Sequence, residues 1–352
     1  MKLLEKNNLI DVLKYWAGKY CVLTPSKKEQ GDCIFETFDE MTFTLDYGKP
    51  SMPQKSSLLP QSEVTFEIDN GTYKETLQAN DTLLFGIRAC DLMGIRQTHN
   101  FMMRDNEDKY FTSKMDKCIS VVMACKGPQN KTCFCTTTNS GPFAEKGFDL
   151  QFYDMGDTFI VETGSNKGEE LILGKYFKDV DELKARGKID AFKKKAQENI
   201  PIVDEVKKAM TILADGTADE NVWEYLGKKC IACGSCVFVC PTCTCFNVYD
   251  LVVEKETGQR IRAWDACLYG GFTKEASGHN PRPTQASRVK RRYEHKLLYY
   301  NKDDIQEAIC GCVGCGRCTD FCPVNIGTLE VVKFIVNGGI PYTFASDRGG
   351  QI

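Results

Sequence analysis

Cys230-Ile231-Ala232-Cys233-Gly234-Ser235-Cys236-Val237-Phe238-Val239-Cys240-Pro241 is answered, at the same spacing, by Cys312-Val313-Gly314-Cys315-Gly316-Arg317-Cys318-Thr319-Asp320-Phe321-Cys322-Pro323. Both stretches read C-x2-C-x2-C-x3-C-P, a run that holds [4Fe–4S] cubanes in pairs. Three thiolates at two-residue gaps let one tight loop wrap three corners of a cube. The x3 step aims the fourth thiolate elsewhere, and the proline stops the loop from continuing as helix. Where two such runs occur, the fourth cysteine of each serves the other cluster. Cys230, Cys233, Cys236 and Cys322 are therefore assigned to one cubane, and Cys312, Cys315, Cys318 and Cys240 to the second.

Competing readings are weaker. A zinc ribbon uses paired C-x2-C and leaves a surplus thiolate in each run. Disulfide frameworks belong to short secreted chains, whereas this chain has 352 residues and begins with Glu5, Lys6 and Asp11 where a leader needs an unbroken apolar stretch. Nineteen cysteines without export imply a reducing cytoplasm. No apolar run is long enough to span a bilayer. The formal charge is −3; cubanes at about −2 each, if three are held, take the total to about −9. One basic stretch, Arg288, Lys290, Arg291, Arg292, His295 and Lys296, reads as a solvated helix face or a dock for an acidic partner subunit. The overall acidic balance speaks against nucleic acid.

Around the cysteine runs the chain divides into three. Residues 1–170 read as a mixed α/β domain. Met1–Lys19 has the period of an amphipathic helix, and Val64–Asp69, Thr72–Leu77, Thr82–Ile87, Ile119–Ala124 and Thr158–Thr163 are short β-rich runs between turn signals. Two of them, Leu83–Ile87 and Ile119–Met123, are almost wholly apolar, as buried central strands should be. Asp91 is placed to cap a helix running to about Met103. Residues 171–222 form a helical connector, with helices expected over Asp179–Asn199 and Ile202–Leu213. Residues 223–352 form a two-[4Fe–4S] ferredoxin-like, largely helical domain. Its two runs lie 72 residues apart, so residues 246–309 are an insertion, cheap in closure entropy and suited to an interface.

Cys90, Cys125, Cys133 and Cys135 make a second constellation. Cys90 and Cys125 each follow a buried strand, where open α/β sheets place their ligands. Cys133-Phe134-Cys135 adds two thiols from a loop bounded by Gly127-Pro128 and Gly141-Pro142. A helix N-terminus beside Cys90 favours negative charge. A third [4Fe–4S] cluster is the reading adopted. Zinc and unmetallated buried thiols are the alternatives.

With these residues in place the chain resembles the family that contains sulfhydrogenase beta subunits and the A subunits of anaerobic sulfite reductases. The likeness rests on Leu45-Asp46-Tyr47, Gly86-Ile87-Arg88-Ala89-Cys90-Asp91, Cys133-Phe134-Cys135, Gly147-Phe148-Asp149-Leu150, Cys240-Pro241-Thr242-Cys243-Thr244-Cys245, Gly278-His279-Asn280-Pro281-Arg282-Pro283-Thr284 and the run from Cys312. It implies an iron–sulfur subunit that relays electrons between a flavoprotein acting on NAD(P)H and a separate catalytic subunit, a NiFe hydrogenase or a sirohaem sulfite reductase, with the sulfhydrogenase branch the nearer. Ser277 and Pro281 depart from that family's Gly-Gly-His-Asn-Phe-Arg wording. Cys21, Cys33, Cys118 and Cys310 have no counterpart in its pattern and are non-ligands on that comparison. The pattern leaves Cys243, Cys245 and Cys267 beside His279. Three readings of these stay open: a further metal site, groups that tune a nearby cubane by S–H hydrogen bonds, or substitution of one of them for Cys240.

No G-x-G-x-x-G follows a strand run, and no G-x-x-x-x-G-K-[ST] occurs. Three histidines, His99, His279 and His295, leave little acid–base equipment. No substrate-converting catalytic residue is therefore expected on this chain. The functions that remain are an electron-transfer subunit or, alternatively, an iron–sulfur scaffold that docks catalytic subunits without lying on the electron path.

Overall fold

The computed structural model describes residues 1–29, 31–300 and 308–338. Within the 223–352 unit, residues 301–307 of the insertion and residues 339–352 lie outside the described residues. Among the described residues twelve strands are formed: β1 Lys2–Glu5, β2 Cys21–Lys27, β3 Cys33–Thr37, β4 Ser62–Asp69, β5 Thr72–Glu75, β6 Thr82–Ile87, β7 Cys118–Met123, β8 Leu150–Asp154, β9 Thr158–Thr163, β10 Phe177–Asp179, β11 Phe246–Glu254 and β12 Thr257–Trp264.

The apolar runs at β6 and β7 fill the middle of an eight-stranded sheet, ordered β10-β1-β9-β8-β7-β6-β2-β3. β2, β6, β7 and β8 are mutually parallel, and the flanking pairs are antiparallel. Parallel strands must be covered on both faces. One face packs Val12, Leu13 and Trp16 of the helix Leu9–Ala17 against Leu83, Phe85 and Val121. The other packs Leu92 and Ile95 of the helix Ala89–Met103 against Leu84, Ile87 and Val122. Cys90 and Cys125 consequently emerge at the same edge, beyond the carboxyl ends of the neighbouring strands β6 and β7.

Several expected elements shift. The first helix does not cover Met1–Lys19: Lys2–Glu5 is a strand that pairs with both β9 and β10, and the helix starts at Leu9. Backbone pairing on two sides, with Leu4 fully buried between its partners, outweighs the helical period of those few residues. The N-cap of the Cys90 helix is Arg88 rather than Asp91, because the Asp91 side chain points to Arg317 instead.

The insertion is not wholly helical. Its hairpin β11–β12 joins β4 and β5 in a four-stranded antiparallel sheet ordered β11-β12-β4-β5, with Ile261 opposite Val64 and Gln259 opposite Glu67. The 223–352 unit is therefore mixed, and a sheet stitches it to the first unit. Its helical part comprises Glu220–Lys229, Gln285–Glu294 and Thr328–Asn337, which pack with the connector helix Asp204–Ala214. Trp223, Leu226, Val289, Tyr293, Val331 and Ile335 make the core that surrounds the cysteine runs.

Candidate metal centres

The two runs fold alike. Ala232 and Gly314, each just before the second cysteine, have φ of 57° and 60°; Gly234 and Gly316, each just after it, have 76° and 75°. Each loop then enters one short helix, Ser235–Phe238 or Arg317–Asp320. Left-handed residues on either side of the middle cysteine curl the backbone around a common centre, and three of these four positions are glycine for that reason.

The curl determines where the sulfurs go. Cys230, Cys233, Cys236 and Cys322 line one cavity together with Leu268, Tyr293 and Ile326. The fourth cysteine of that cavity, Cys322, comes from the second run. Two neutral donors already point at its sulfurs: Gln285 Nε2 at 3.1 Å from Cys230 Sγ, and the Ile326 backbone N–H at 3.2 Å from Cys322 Sγ. In the reciprocal set, the Thr328 N–H donates to Cys318 Sγ at 3.5 Å and the Gly314 N–H to Cys312 Sγ at 3.5 Å. Cys240 Sγ lies 3.3 Å from Thr242 Oγ1. Such N–H···S contacts stabilise the charge of a reduced cluster and set its potential. Burial pushes the Cys236 thiol up to about 12 and Cys315 up to about 11, the latter against the opposing pull of Arg317 and Lys49. A metal entering these sites must displace protons, and the free energy of binding becomes folding free energy.

Cys125, Cys133 and Cys135 are buried and Cys90 is nearly so, all at the β6–β7 edge. Burial raises the Cys135 thiol, with Cys125, Cys133 and Cys315 adding to the shift; Cys90 is raised by burial, Asp91 and Cys315 in that order. Cys315 is thus electrostatic neighbour to both sets. The contact is direct: the Phe134 N–H donates to Gly314 O at 2.8 Å. A Cβ on Gly314 would stand 2.6 Å from Phe134 O, and one on Gly316 2.4 Å from Thr132 O. The glycines of the second run let the Cys133–Cys135 loop lie on its backbone.

Charge tests whether an anionic group fits. Lys55, Arg88, Arg292, Lys296 and Arg317 are all buried beside these thiols, and among the described residues the only buried carboxylate is Asp91. Asp91 serves Arg317; among the described residues none of the other four has a carboxylate within ion-pair distance. Lys296 donates to Thr242 O and Oγ1 at 2.8 and 2.7 Å, Lys55 to Cys243 O at 2.8 Å, and Arg292 Nη2 to Cys236 O at 2.8 Å. Among the described residues Arg292 Nε and Nη1 have no hydrogen-bond partner. Buried unpaired cations are very costly in a neutral interior. Cubanes with four thiolates, at about −2 each, are the counter-charge that this interior is built to hold. The residues fit the group.

These cations were not recognised from sequence. Arg292 and Lys296 sat in a stretch expected to be solvated, but only part of it is: Arg291 is exposed, while Val289, Arg292, Tyr293, Lys296 and Leu297 turn inward on one helical face. Apolar Val289, Tyr293 and Leu297, at i, i+4 and i+8, were the available signal.

The remaining cysteines sort into pairs. Cys243 is buried against Cys240 and shares a thiol hydrogen bond with it. Cys245 and Cys267 share another, which pulls Cys245 down to about 6 and raises Cys267. His279 is exposed and paired with Glu275 at 3.3 Å; the structure does not bring it to the cysteines. Among the described residues no three His, Cys, Asp or Glu side chains converge tightly enough to hold a single metal ion. Cys21 is exposed on β2, Cys33 half-buried on β3, and Cys118 buried on β7.

Two like cysteine runs, Cys322 of the second seated among the thiols of the first, and a surplus of buried positive charge define a dicluster iron–sulfur protein of the electron-transfer class. A family model described as a 4Fe-4S dicluster domain matches residues 229–326. The chain is 30% identical to sulfhydrogenase 2 subunit beta of Pyrococcus furiosus over 304 residues, 86% of this chain and 87% of that relative. It belongs to the sulfhydrogenase beta-subunit family. No solved structure matches the chain. Among the described residues no helix is long and apolar enough to cross a membrane.

Proposed function

We propose that this chain relays electrons, one at a time, between a flavin subunit acting on NAD(P)H and a separate catalytic subunit. A NiFe hydrogenase is favoured as that catalyst, with a sirohaem sulfite reductase next. The relative, named as a sulfhydrogenase subunit, supports the first choice. Nineteen free cysteines fit a reducing cytoplasmic setting.

The observation that carries the relay reading is the contiguity of three thiol sets. Cys230, Cys233, Cys236 and Cys322 hold one cubane; Cys312, Cys315, Cys318 and Cys240 hold the next; Cys90, Cys125, Cys133 and Cys135 hold a third. When bound, each cubane supplies a one-electron carrier. The chain's own residues do the rest. Arg292, Lys296 and Lys55 neutralise ligand charge, backbone N–H groups at Thr328, Gly314 and Ile326 solvate sulfur, and the Phe134–Gly314 contact holds the third set against the second. Cys243, in contact with Cys240, tunes that ligand through its S–H group.

The test uses the complex purified anaerobically with its own subunits. Three cubanes give about 12 iron and 12 sulfide per chain. Cys315→Ser should remove one cluster signal in electron paramagnetic resonance and abolish turnover from NAD(P)H. Full turnover without that cluster would mean that the chain is a scaffold off the electron path.

A further inference from the structure

The base of the β11–β12 hairpin holds two thiols that the relay does not use. Cys245 directly precedes β11, and Cys267 follows β12 by three residues. The Asp265 N–H donates to Cys245 O at 3.0 Å and ties the strand ends together. Across this tie the Cys267 thiol hydrogen-bonds the Cys245 sulfur, and the Cys267 backbone N–H points at the same sulfur. Both residues are half-buried and line one open pocket. Buried Cys243, paired with Cys240, is not part of it.

The walls of the pocket are basic. Arg282, Arg291 and Arg292 line it, and among the described residues its single carboxylate, Asp108, is paired with Arg262. Arg292 is almost fully buried, and among the described residues two of its N–H groups have no hydrogen-bond partner. Two touching thiols open to solvent beside cationic donors are equipped for exchange with a disulfide. They are not equipped as a mononuclear metal site, because among the described residues no third ligand joins them.

We propose that Cys245 and Cys267 are a redox-active dithiol that reduces small anionic disulfides. The Cys245 thiolate attacks one sulfur of the substrate, so a Cys245–substrate S–S bond forms as the substrate's own S–S bond breaks and the first thiolate leaves. Cys267 then attacks Cys245, forms the intramolecular disulfide and releases the second thiolate. The protein pair loses two electrons, the substrate gains them, and the two thiol protons pass to the two products. Arg282, Arg291 and Arg292 hold the acidic groups of the substrate. The step uses no bound cluster, so this inference stands or falls separately from the relay.

The experiment treats the reduced, desalted complex under argon with glutathione disulfide, which is anionic, or with cystamine, which is cationic. Acid quenching, differential alkylation and peptide mass spectrometry then locate the oxidised cysteines. A Cys245–Cys267 disulfide is expected, forming about tenfold or more faster with the anionic probe, as charge steering gives. Arg282→Glu should erase that preference. Cys267→Ser should trap glutathione on Cys245, and Cys245→Ser should abolish the disulfide while iron and sulfide contents stay at wild-type values. Absence of the disulfide, equal rates with both probes, or loss of iron and sulfide in Cys245→Ser would each overturn the proposal.

Discussion

Asp91 and Arg317, 226 residues apart in sequence, form a bidentate ion pair sealed from water, with Nη1 and Nη2 donating to the carboxylate at 2.6 and 2.9 Å. Arg317 also donates through Nε to Pro50 O at 2.8 Å. Each partner neighbours a proposed ligand, Cys90 on one side and Cys318 on the other. The pair therefore fixes the edge of the parallel sheet to the second cysteine run. It joins the two halves of the molecule where the thiol sets meet.

A buried pair of this kind is costly to break singly and cheap to replace whole. Asp91→Asn leaves Arg317 charged and unpaired, and should lower stability by about 3–5 kcal/mol in chemical denaturation. The double variant Asp91→Leu/Arg317→Met should recover most of that loss. A single variant as stable as wild type would show that the charge of Arg317 is compensated elsewhere.

Gly94 offers a test in which the sign decides. It lies inside the helix Ala89–Met103, where Gly→Ala normally stabilises by about 1 kcal/mol. A Cβ there would stand 2.7 Å from Pro241 Cβ and 3.2 Å from its carbonyl oxygen, directly behind Cys240. Gly94→Ala should therefore destabilise by about 1–3 kcal/mol through overpacking. A rise in melting temperature would mean that the helix and the Cys240–Pro241 turn are not in contact.

What could be read from sequence followed from how local each signal was. The cysteine runs were legible because their spacing is local; the left-handed residues that curl each loop appear only in the structure. β6 and β9 fell on the expected residues, Thr82–Ile87 and Thr158–Thr163, since buried or flanked apolar runs announce themselves. The β11–β12 hairpin went unread. Val248, Tyr249, Leu251 and Val252 are exposed, so no burial alternation marks β11, and β4, which pairs with β12, is distant in sequence. The buried cations were illegible for a related reason: a lysine earns its interior place from thiols brought to it by tertiary structure. His279 was grouped with the cysteines by sequence wording, and geometry separates it from them.

The third thiol set makes its own prediction. Cys133 is buried, and its thiol donates to Asn130 Oδ1 at 3.1 Å. Cys133→Ser should lower iron by about four per chain, one cubane equivalent, and leave the signals of the other two sets intact. Iron at the wild-type level would indicate that these thiols are not cluster ligands.

Arg292 has a separable electrostatic role. Its guanidinium lines the cavity of Cys230, Cys233, Cys236 and Cys322 with two unpartnered N–H groups. Adding an electron to a cluster there becomes easier beside a fixed positive charge. Arg292→Met should shift the midpoint potential of that cluster downward in a redox titration followed by electron paramagnetic resonance, and Arg292→Lys should restore part of it. Unchanged potentials in both variants would assign Arg292 to packing alone.

Cys118 lies away from every proposed ligand and gives a clean pH test. It is buried on β7, and burial, reinforced by Asp149, lifts its thiol from 9.0 to about 12 against the opposing pull of Lys167. A folded-state pKa above the unfolded one favours the protonated native state. The resulting stability is present in full below about pH 9 and is lost as pH climbs towards 12. In that window the wild type should lose up to about 1.4 kcal/mol per pH unit more than Cys118→Ala, one proton's worth of linkage. Urea midpoints of both proteins at pH 8 and pH 10.5 measure the difference. Parallel loss in the two would mean that Cys118 ionises in the folded chain as freely as in the unfolded one.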